Sequence, residues 1–536
     1  MLIDEDRVAA TVVARVTDRI VRLASEPGGQ PLEEVLTETL IDERVRLEQA
    51  HGARADADRE FYARIRRELS RSGVGGRRAL VREVVCHYAA EIRGHFDSRV
   101  YAFATRVLPV GLTALLNGLS PTRVVASRRE LPDLAEHVHI DGDVATLKAL
   151  AEIGTVVLVP THCSNLDSLL LGFSIYRMGL PPFSYGAGLN LFSNPFTGFF
   201  MNHLGAYTVD REKTDPLYRA TLKEFAIALL ELGQHNLFFP GGTRSRSGAL
   251  ETHLKKGLLG TGVTAFRRNL ECGRKSPRVF FVPATATYPL VLEAQSLVSD
   301  FLVKSGKSRY VPAIDEFDRA RPWVDFLGGL LRMDLRVQLI IGKPLDPFGN
   351  DVDACGLSHD PRGRPVDPGR YLLAGGVIAS DDARDAEYTR ILAARIVASY
   401  RVDTVALPSA ILAYAVLQLL RRRWPRLDIY RLLREIGPDT TISMTDVSEE
   451  VDEVLRELRV LEAKGSIRVS SEAHDAPSVV SLGLKTFGTY HATAVVTRTH
   501  EQIRVGDAKL LFFYQARLDG YGLRGMKPLF LPGSDS

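Results

Sequence analysis

Residues Thr155–Asp167 read TVVLVPTHCSNLD, and the fold turns on how this stretch changes character. Thr155–Pro160 is a short β-branched apolar run closed by proline, the pattern of a buried strand. Thr161 and His162 follow at once, and Ser164–Gly172, SNLDSLLLG, begins a helical pattern. In one continuous helix the five-residue separation would set His162 and Asp167 about 140° apart, out of reach of each other. With His162 on the strand-to-helix turn and Asp167 in the first helical turn, the carboxylate reaches the ring. There it would fix the imidazole tautomer and leave the other nitrogen as a base. The same residues also suit a plainer reading, a histidine packed at a strand end and an aspartate at a helix N-terminus, where the dipole favours it.

The strand design recurs. VVLVP ends at Pro160, NLFFP at Pro240 and VFFVP at Pro283, with LRVQLIIG, Leu335–Gly342, as a further strand candidate. Between the first two lies a helix signalled by Asp215 as N-cap, Pro216 in the first turn, Leu222, Phe225, Leu229 and Leu232 on one face, and Gly233 at the end. Apolar strands separated by amphipathic helices predict an α/β fold with a mostly parallel central sheet flanked by helices. Ligands of such sheets bind beyond the carboxyl ends of the strands, so chemistry is sought just after the three prolines.

Around this core we expect a helical N-terminal region over 1–135, the α/β domain over 136–349, a linker and connecting helix over 350–400, and a small, mostly helical region over 401–536. The first region is rich in Ala, Leu, Arg and Glu, and arginines from Arg64 to Arg82 interleave with acids, as on a solvated helix face laced with ion pairs. The more apolar stretch Val100, Phe103, Val107, Leu112 and Leu115–Leu116 suits a helix pair packed on the next domain or a surface touching lipid. Asp351–Arg370 is rich in Pro, Gly and Asp and reads as loop. Val405–Leu420 is an apolar helix followed by Arg421–Arg423 and Trp424, which fits either a membrane interface or a buried helix with a basic end. Asp446–Val469 is a helix turning into a strand; its helix is acidic where a DNA reader would be basic.

Composition narrows the classes. The 536 residues are 45% hydrophobic and 25% charged, as in globular proteins, and the net charge of +3 disfavours a general nucleic-acid binder. Four scattered cysteines, with no CxxC pair, fit a reducing compartment better than a disulfide framework. The acidic start MLIDEDRVAA leads us to expect no cleaved leader, and no apolar run reaches the ~18 residues of a transmembrane helix.

Three more segments carry chemistry. After Pro240 comes GGTRSRSG, Gly241–Gly248, in which glycines permit close backbone approach, Thr243 and Ser245 offer hydroxyls, and Arg244 and Arg246 offer forks suited to phosphate. GAYTVDR, Gly205–Arg211, is a short strand with an arginine beyond its end, and VPATATY, Val282–Tyr288, lines the sheet with small residues.

In this order the chain resembles the glycerolipid acyltransferase superfamily, and more particularly the long bacterial-type glycerol-3-phosphate acyltransferases. Its His-x4-Asp motif is similar to His162–Asp167, with Ser164. A glycine, short strand and arginine match Gly205 to Arg211. The Phe-Pro-Glu-Gly-Thr-Arg-Ser motif matches Phe239, Pro240, Gly242, Thr243, Arg244 and Ser245, and the hydrophobic-Val-Pro run matches Val282, Pro283 and Tyr288. The resemblance covers Gly154 to about Pro344 well, includes Ala187–Asn190, and extends loosely to His95–Leu119 and Leu510–Leu523. Two positions depart from it: Cys163 stands where the long enzymes carry arginine, and Gly241 where the third motif carries glutamate.

The resemblance implies transfer of a fatty acyl group from acyl-CoA or acyl-ACP to the sn-1 hydroxyl of glycerol 3-phosphate, giving lysophosphatidate, the first step of phospholipid synthesis. His162 and Asp167 would be catalytic, and Arg211, Gly242, Thr243, Arg244 and Ser245 would bind the acceptor phosphate. No metal, no cofactor and no nucleic acid are implied; the protein would lie peripherally on the cytoplasmic face of the cell membrane. Leu191–Met201 would line the acyl path or form a plain core helix, and restoring the acid with Gly241→Glu would keep or improve acceptor use. The alternatives are another acceptor (lysophosphatidate or dihydroxyacetone phosphate), thioester hydrolysis, or a weakened lipid- or CoA-binding homologue.

Overall fold

The computed structural model describes residues 5–101, 137–188, 203–304, 336–437, 439–488, 491, 493–525 and 529. The apolar residues after Tyr101, the segment Leu191–Met201 and all of the tail beyond Pro528 except Leu529 lie outside them.

Seven strands form the central sheet: β1 (Val138–Gly142), β2 (Thr155–Pro160), β3 (Ser184–Gly188), β4 (Ala206–Val209), β5 (Asn236–Leu237), β6 (Val279–Thr287) and β7 (Val337–Ile341). Their spatial order is β1-β7-β6-β2-β5-β3-β4. Every residue of β2 and β6 is buried, because both faces of these central strands are covered, and so neither alternates in polarity. They run parallel, Thr155 opposite Val279 and Pro160 opposite Ala284. β5, β3 and β4 continue in the same direction, whereas β7 meets β6 antiparallel and carries β1 with it. The sheet is thus mostly parallel, and the carboxyl ends of β2, β3, β4, β5 and β6 share one edge.

Side chains of β2 feed two cores in turn. Val156 and Leu158 join Leu147, Leu171 and Leu297 on one face; Val157 and Val159 join Val263, Phe266, Leu392 and Ile396 on the other. The helices of the first face are α5 (Val144–Ile153), α6 (Asp167–Arg177) and α9 (Ala294–Lys304); those of the second include α8 (Thr261–Glu271) and α10 (Asp382–Asp403). Tyr400 of α10 donates its hydroxyl to Val159 O at 2.8 Å, which locks that layer onto β2.

The run ending at Pro240 differs from its sequence reading. Only Asn236–Leu237 form strand; Phe238 N–H still donates to Leu158 O at 3.3 Å, and Phe239 turns its ring onto His162. The helix after Asp215 forms as expected: in α7 (Pro216–Glu231) the Asp215 side chain accepts Tyr218 N–H at 2.9 Å, and Gly233 follows with φ +78°.

Among the described residues four helices precede the sheet: α1 (Glu5–Ser25), α2 (Leu32–Gln49), α3 (Ala53–Leu69) and α4 (Val74–Ile92). Val12, Leu36, Ile65 and Val84 form their core, which continues into Tyr207, Tyr218 and Phe225 of the α/β layer. Exposed pairs such as Arg78–Asp18 and Arg64–Glu68 account for part of the arginine-rich faces.

At the other end, α11 (Pro408–Arg423) is buried on all sides from Pro408 to Gln418, and its apolar length belongs to the protein interior. Arg422 in its last turn pairs with buried Glu450, so the buried-helix reading holds for this segment. α12 (Met444–Ala463), α13 (Ala476–Phe487) and α14 (Ala508–Gln515) pack around α11, beside an antiparallel sheet of Thr441–Ser443, Gln502–Val505 and Val496–Thr499. No helix among the described residues is long and apolar enough to cross a membrane.

Candidate active site

His162 leaves the end of β2 on a turn whose reversal is closed by Asp167 N–H donating to Ser164 O at 3.1 Å. The turn shortens the path between the two side chains, and His162 Nδ1 stands 2.9 Å from Asp167 Oδ2. That same oxygen accepts the N–H groups of Cys163 (2.6 Å) and Ser164 (2.9 Å), while Tyr288 donates its hydroxyl to Oδ1 at 2.6 Å. Four donors therefore hold a carboxylate that has no solvent exposure, at the first turn of α6. Burial first, and then the charge of Asp167, hold the Tyr288 phenol well above its ordinary range, so it keeps its proton and donates it in the hydrogen bond to Asp167. Phe239 stacks on the His162 ring, centroids 4.0 Å apart and planes 18° from parallel. With Nδ1 committed to Asp167, the ring's chemistry toward the cleft rests on Nε2.

The loop after Pro240 grips the main chain of His162 on both sides. Ser245 N–H donates to His162 O at 2.8 Å, and His162 N–H donates to Glu251 Oε1 at 2.9 Å. Ser245 directs its own hydroxyl to Ala249 O at 2.7 Å, and Gly242 makes the turn with φ +79°. Neither residue lines the open cleft beside His162, unlike Thr243 and Arg244. Both shape the loop, while its neighbours face the ligand space.

That cleft, with about 160 Å³ of free space, lies between His162, Asn165, Phe239, the β3 residues Gly186–Gly188, and Arg211, Arg244 and Arg246. Leu297 and Asp300 of α9 also line it. Arg211 is open to solvent at the mouth yet surrounded by protein atoms. Its guanidinium is held below its ordinary range, first by that desolvation and then by the charges of Arg244 and Arg246. Three mutually repelling cations around one cleft form a site that an anion would relieve. Arg244 also has a structural partner, Glu293 Oε1 at 3.1 Å. Glu293 is fully buried and accepts Ser164 Oγ (2.9 Å) and Asn165 N–H (2.7 Å), so Arg244 is tied to the turn that carries the dyad.

The residues after Arg211 are pinned by the N-terminal helices. Lys213 Nζ reaches Glu91 at 2.5 Å and Glu43 at 3.5 Å, and Tyr88 donates to Asp215 Oδ2 at 3.1 Å. Burial pushes the Asp215 carboxyl up to about 6, against the hydrogen bonds from Tyr218 and Tyr88. Among the described residues one trio, Asp58, His87 and Glu91, is close enough to share a cation. Arg46 and Lys213 already neutralise its carboxylates, which makes it an ion-pair network. Burial pushes the Cys163 thiol up to about 11, against the opposing charge of Arg517, which donates to Sγ at 2.8 Å.

Of the residues singled out in sequence, His162, Arg211, Thr243 and Arg244 meet in the cleft, and Asp167 lies directly behind His162. Glu293, Glu251 and Arg517 were not identified. A lone acid in VLEAQ or ALETH, and an arginine more than 350 positions from its thiol partner, carry no local pattern. Arg246 was visible as a phosphate fork but stood outside the matched motif.

Residues 142–283 match the acyltransferase family model. The chain is 30% identical over 204 residues to a glycerol-3-phosphate acyltransferase of Ectopseudomonas mendocina, covering 38% of this chain and 23% of that protein. It is 32% identical over 163 residues to the protein of the same name from Pseudomonas syringae pv. tomato, covering 30% and 18%. A third, from Pseudomonas paraeruginosa, is 31% identical over 218 residues, covering 40% and 23%. The match thus spans about a fifth of the length of these relatives.

Proposed function

We propose that this chain, whose residues 142–283 match the acyltransferase family model, moves a fatty acyl group from a thioester to a hydroxyl of glycerol 3-phosphate. The observation that carries this reading is a His–Asp pair opening onto a cleft ringed by three guanidinium groups. His162 Nε2 takes the proton from the acceptor hydroxyl as that oxygen attacks the thioester carbonyl. When the C–S bond breaks, the imidazolium returns the proton to the leaving thiolate of CoA or acyl carrier protein. Asp167 stabilises the imidazolium between these steps, and Tyr288 with the two backbone donors keeps Asp167 in place. The acceptor's phosphate is held by Arg211, Arg244 and Arg246 with Thr243, and its sn-1 hydroxyl is the one placed at His162. Holding both substrates together contributes much of the rate without a covalent enzyme intermediate. The product is lysophosphatidate, the first intermediate of phospholipid synthesis.

The test is to give purified protein a labelled acyl thioester with glycerol 3-phosphate, dihydroxyacetone phosphate or lysophosphatidate and to identify the lipid formed. Lysophosphatidate from glycerol 3-phosphate is expected. Phosphatidate made only from the lysolipid would overturn the acceptor, and thioester loss without any acyl-lipid product would overturn transfer itself.

Arg211→Ala should raise the acceptor's KM about 10- to 100-fold with a small change for the acyl donor, since one charge-assisted phosphate contact is worth roughly 1.5–3 kcal/mol. Equal changes for both substrates would remove Arg211 from the acceptor site. Arg244→Ala is the poorer probe, because it would also leave buried Glu293 without its cation.

We place the protein on the cytoplasmic face of the membrane, held at its surface. High-salt or alkaline carbonate washing of membranes should release it; release by detergent alone would require an inserted segment.

A further inference from the structure

The loop that carries Thr243 and Arg244 returns to the sheet edge at Lys255, whose N–H donates to Pro240 O at 2.7 Å. Its return limb brings Glu251 against Gly241. A Cβ added to Gly241 would stand 2.8 Å from Glu251 Oε1 and 2.9 Å from its Cδ, so a side chain at 241 would push the carboxyl from its present place. Oε1 takes the His162 N–H at 2.9 Å; Oε2 is shielded from water and has no hydrogen-bond partner. The nearby positive charge is that of Arg517, a half-buried residue of the C-terminal segment that also donates to Cys163 Sγ.

We propose, resting on the reading of His162 as the base, that Glu251 is a positioning residue: its carboxyl holds the His162 peptide from the space that Gly241 leaves empty. The acid absent at position 241 is thus supplied ten residues later, and the guanidinium absent at position 163 comes from Arg517. This reverses the sequence expectation for Gly241→Glu. The new side chain would compete with Glu251 for one pocket and displace its carboxyl. Burial already pushes the Glu251 carboxyl up to about 8, so the pocket tolerates charge poorly.

The experiment compares Glu251→Ala, Glu251→Gln, Gly241→Glu and the double variant Gly241→Glu/Glu251→Ala in the full chain, with circular dichroism as the check on folding. Glu251→Ala is expected to lower kcat about 10- to 100-fold with the acceptor KM within about twofold, the cost of a lost buried hydrogen bond and a displaced base. Gly241→Glu alone should also lose activity. Glu251→Gln, which keeps the acceptor oxygen, or the relocated carboxyl of the double variant should recover most of it. Where Glu251→Ala fails to fold, folding is the property to be recovered. Wild-type kcat in Glu251→Ala, or recovery by neither variant, overturns the proposal. Diethyl pyrocarbonate modification of His162, followed by peptide mass spectrometry, gives a readout that needs no turnover: its rate should change at least about threefold in Glu251→Ala and return in a recovering variant. A wild-type protein that acylates nothing would defeat the proposed function, while this series would still decide the role of Glu251.

Discussion

His162→Ala should cost about 10²–10⁴ in kcat while the protein stays folded, because a positioned general base typically supplies that much. The ring sits on a turn beyond β2, and the main-chain bonds that hold the turn, from Ser245 to His162 O and from His162 N–H to Glu251, do not involve the imidazole. The substitution loses the stacking on Phe239 and leaves Asp167 with three of its four donors. Both losses are local, and the unfolding temperature should fall by only a few degrees. The measurement is steady-state turnover with saturating thioester and acceptor, alongside thermal unfolding. A folded His162→Ala protein with turnover within about threefold of wild type would leave the dyad without a catalytic role.

Asp167→Asn should be nearly as damaging, about 10²–10⁴ in kcat, for a different reason. The carboxamide oxygen satisfies the N–H groups of Cys163 and Ser164, and its NH₂ turns toward Tyr288, whose hydroxyl then accepts instead of donating. The site keeps its shape but loses the negative charge that stabilises the imidazolium, so acceptor KM should stay within about threefold while kcat collapses. Loss confined to KM would mean that Asp167 serves binding. Asp167→Ala is less informative: it strands two buried N–H donors and the Tyr288 hydroxyl, so it confounds chemistry with stability.

The positions that stayed hidden in the sequence share a property. Glu293 accepts Ser164 and Asn165 across 129 and 128 residues, and Arg517 reaches Cys163 across 354. Such pairs have no periodicity to betray them, because the chain meets itself there only after the sheet has formed. Ser245 shows the opposite case. Its place in the motif suggested a phosphate ligand, but its hydroxyl is directed to Ala249 O and its N–H to His162 O.

What the sequence alone determined is the α/β class, the strand ending at Pro160 and the helix capped by Asp215; the strand through Pro283 runs on to Thr287. All are local: burial on both faces makes an apolar run a central strand, and an aspartate before a proline starts a helix without distant help. The tertiary structure decided the antiparallel placing of β7, the burial of the apolar helix Pro408–Arg423 that alone also suited a membrane surface, and the filling of Gly241's empty space by Glu251. Each depends on which surfaces and charges meet after folding. A buried carboxyl is tolerated only where donors and a cation converge on it, and that convergence exists only in three dimensions.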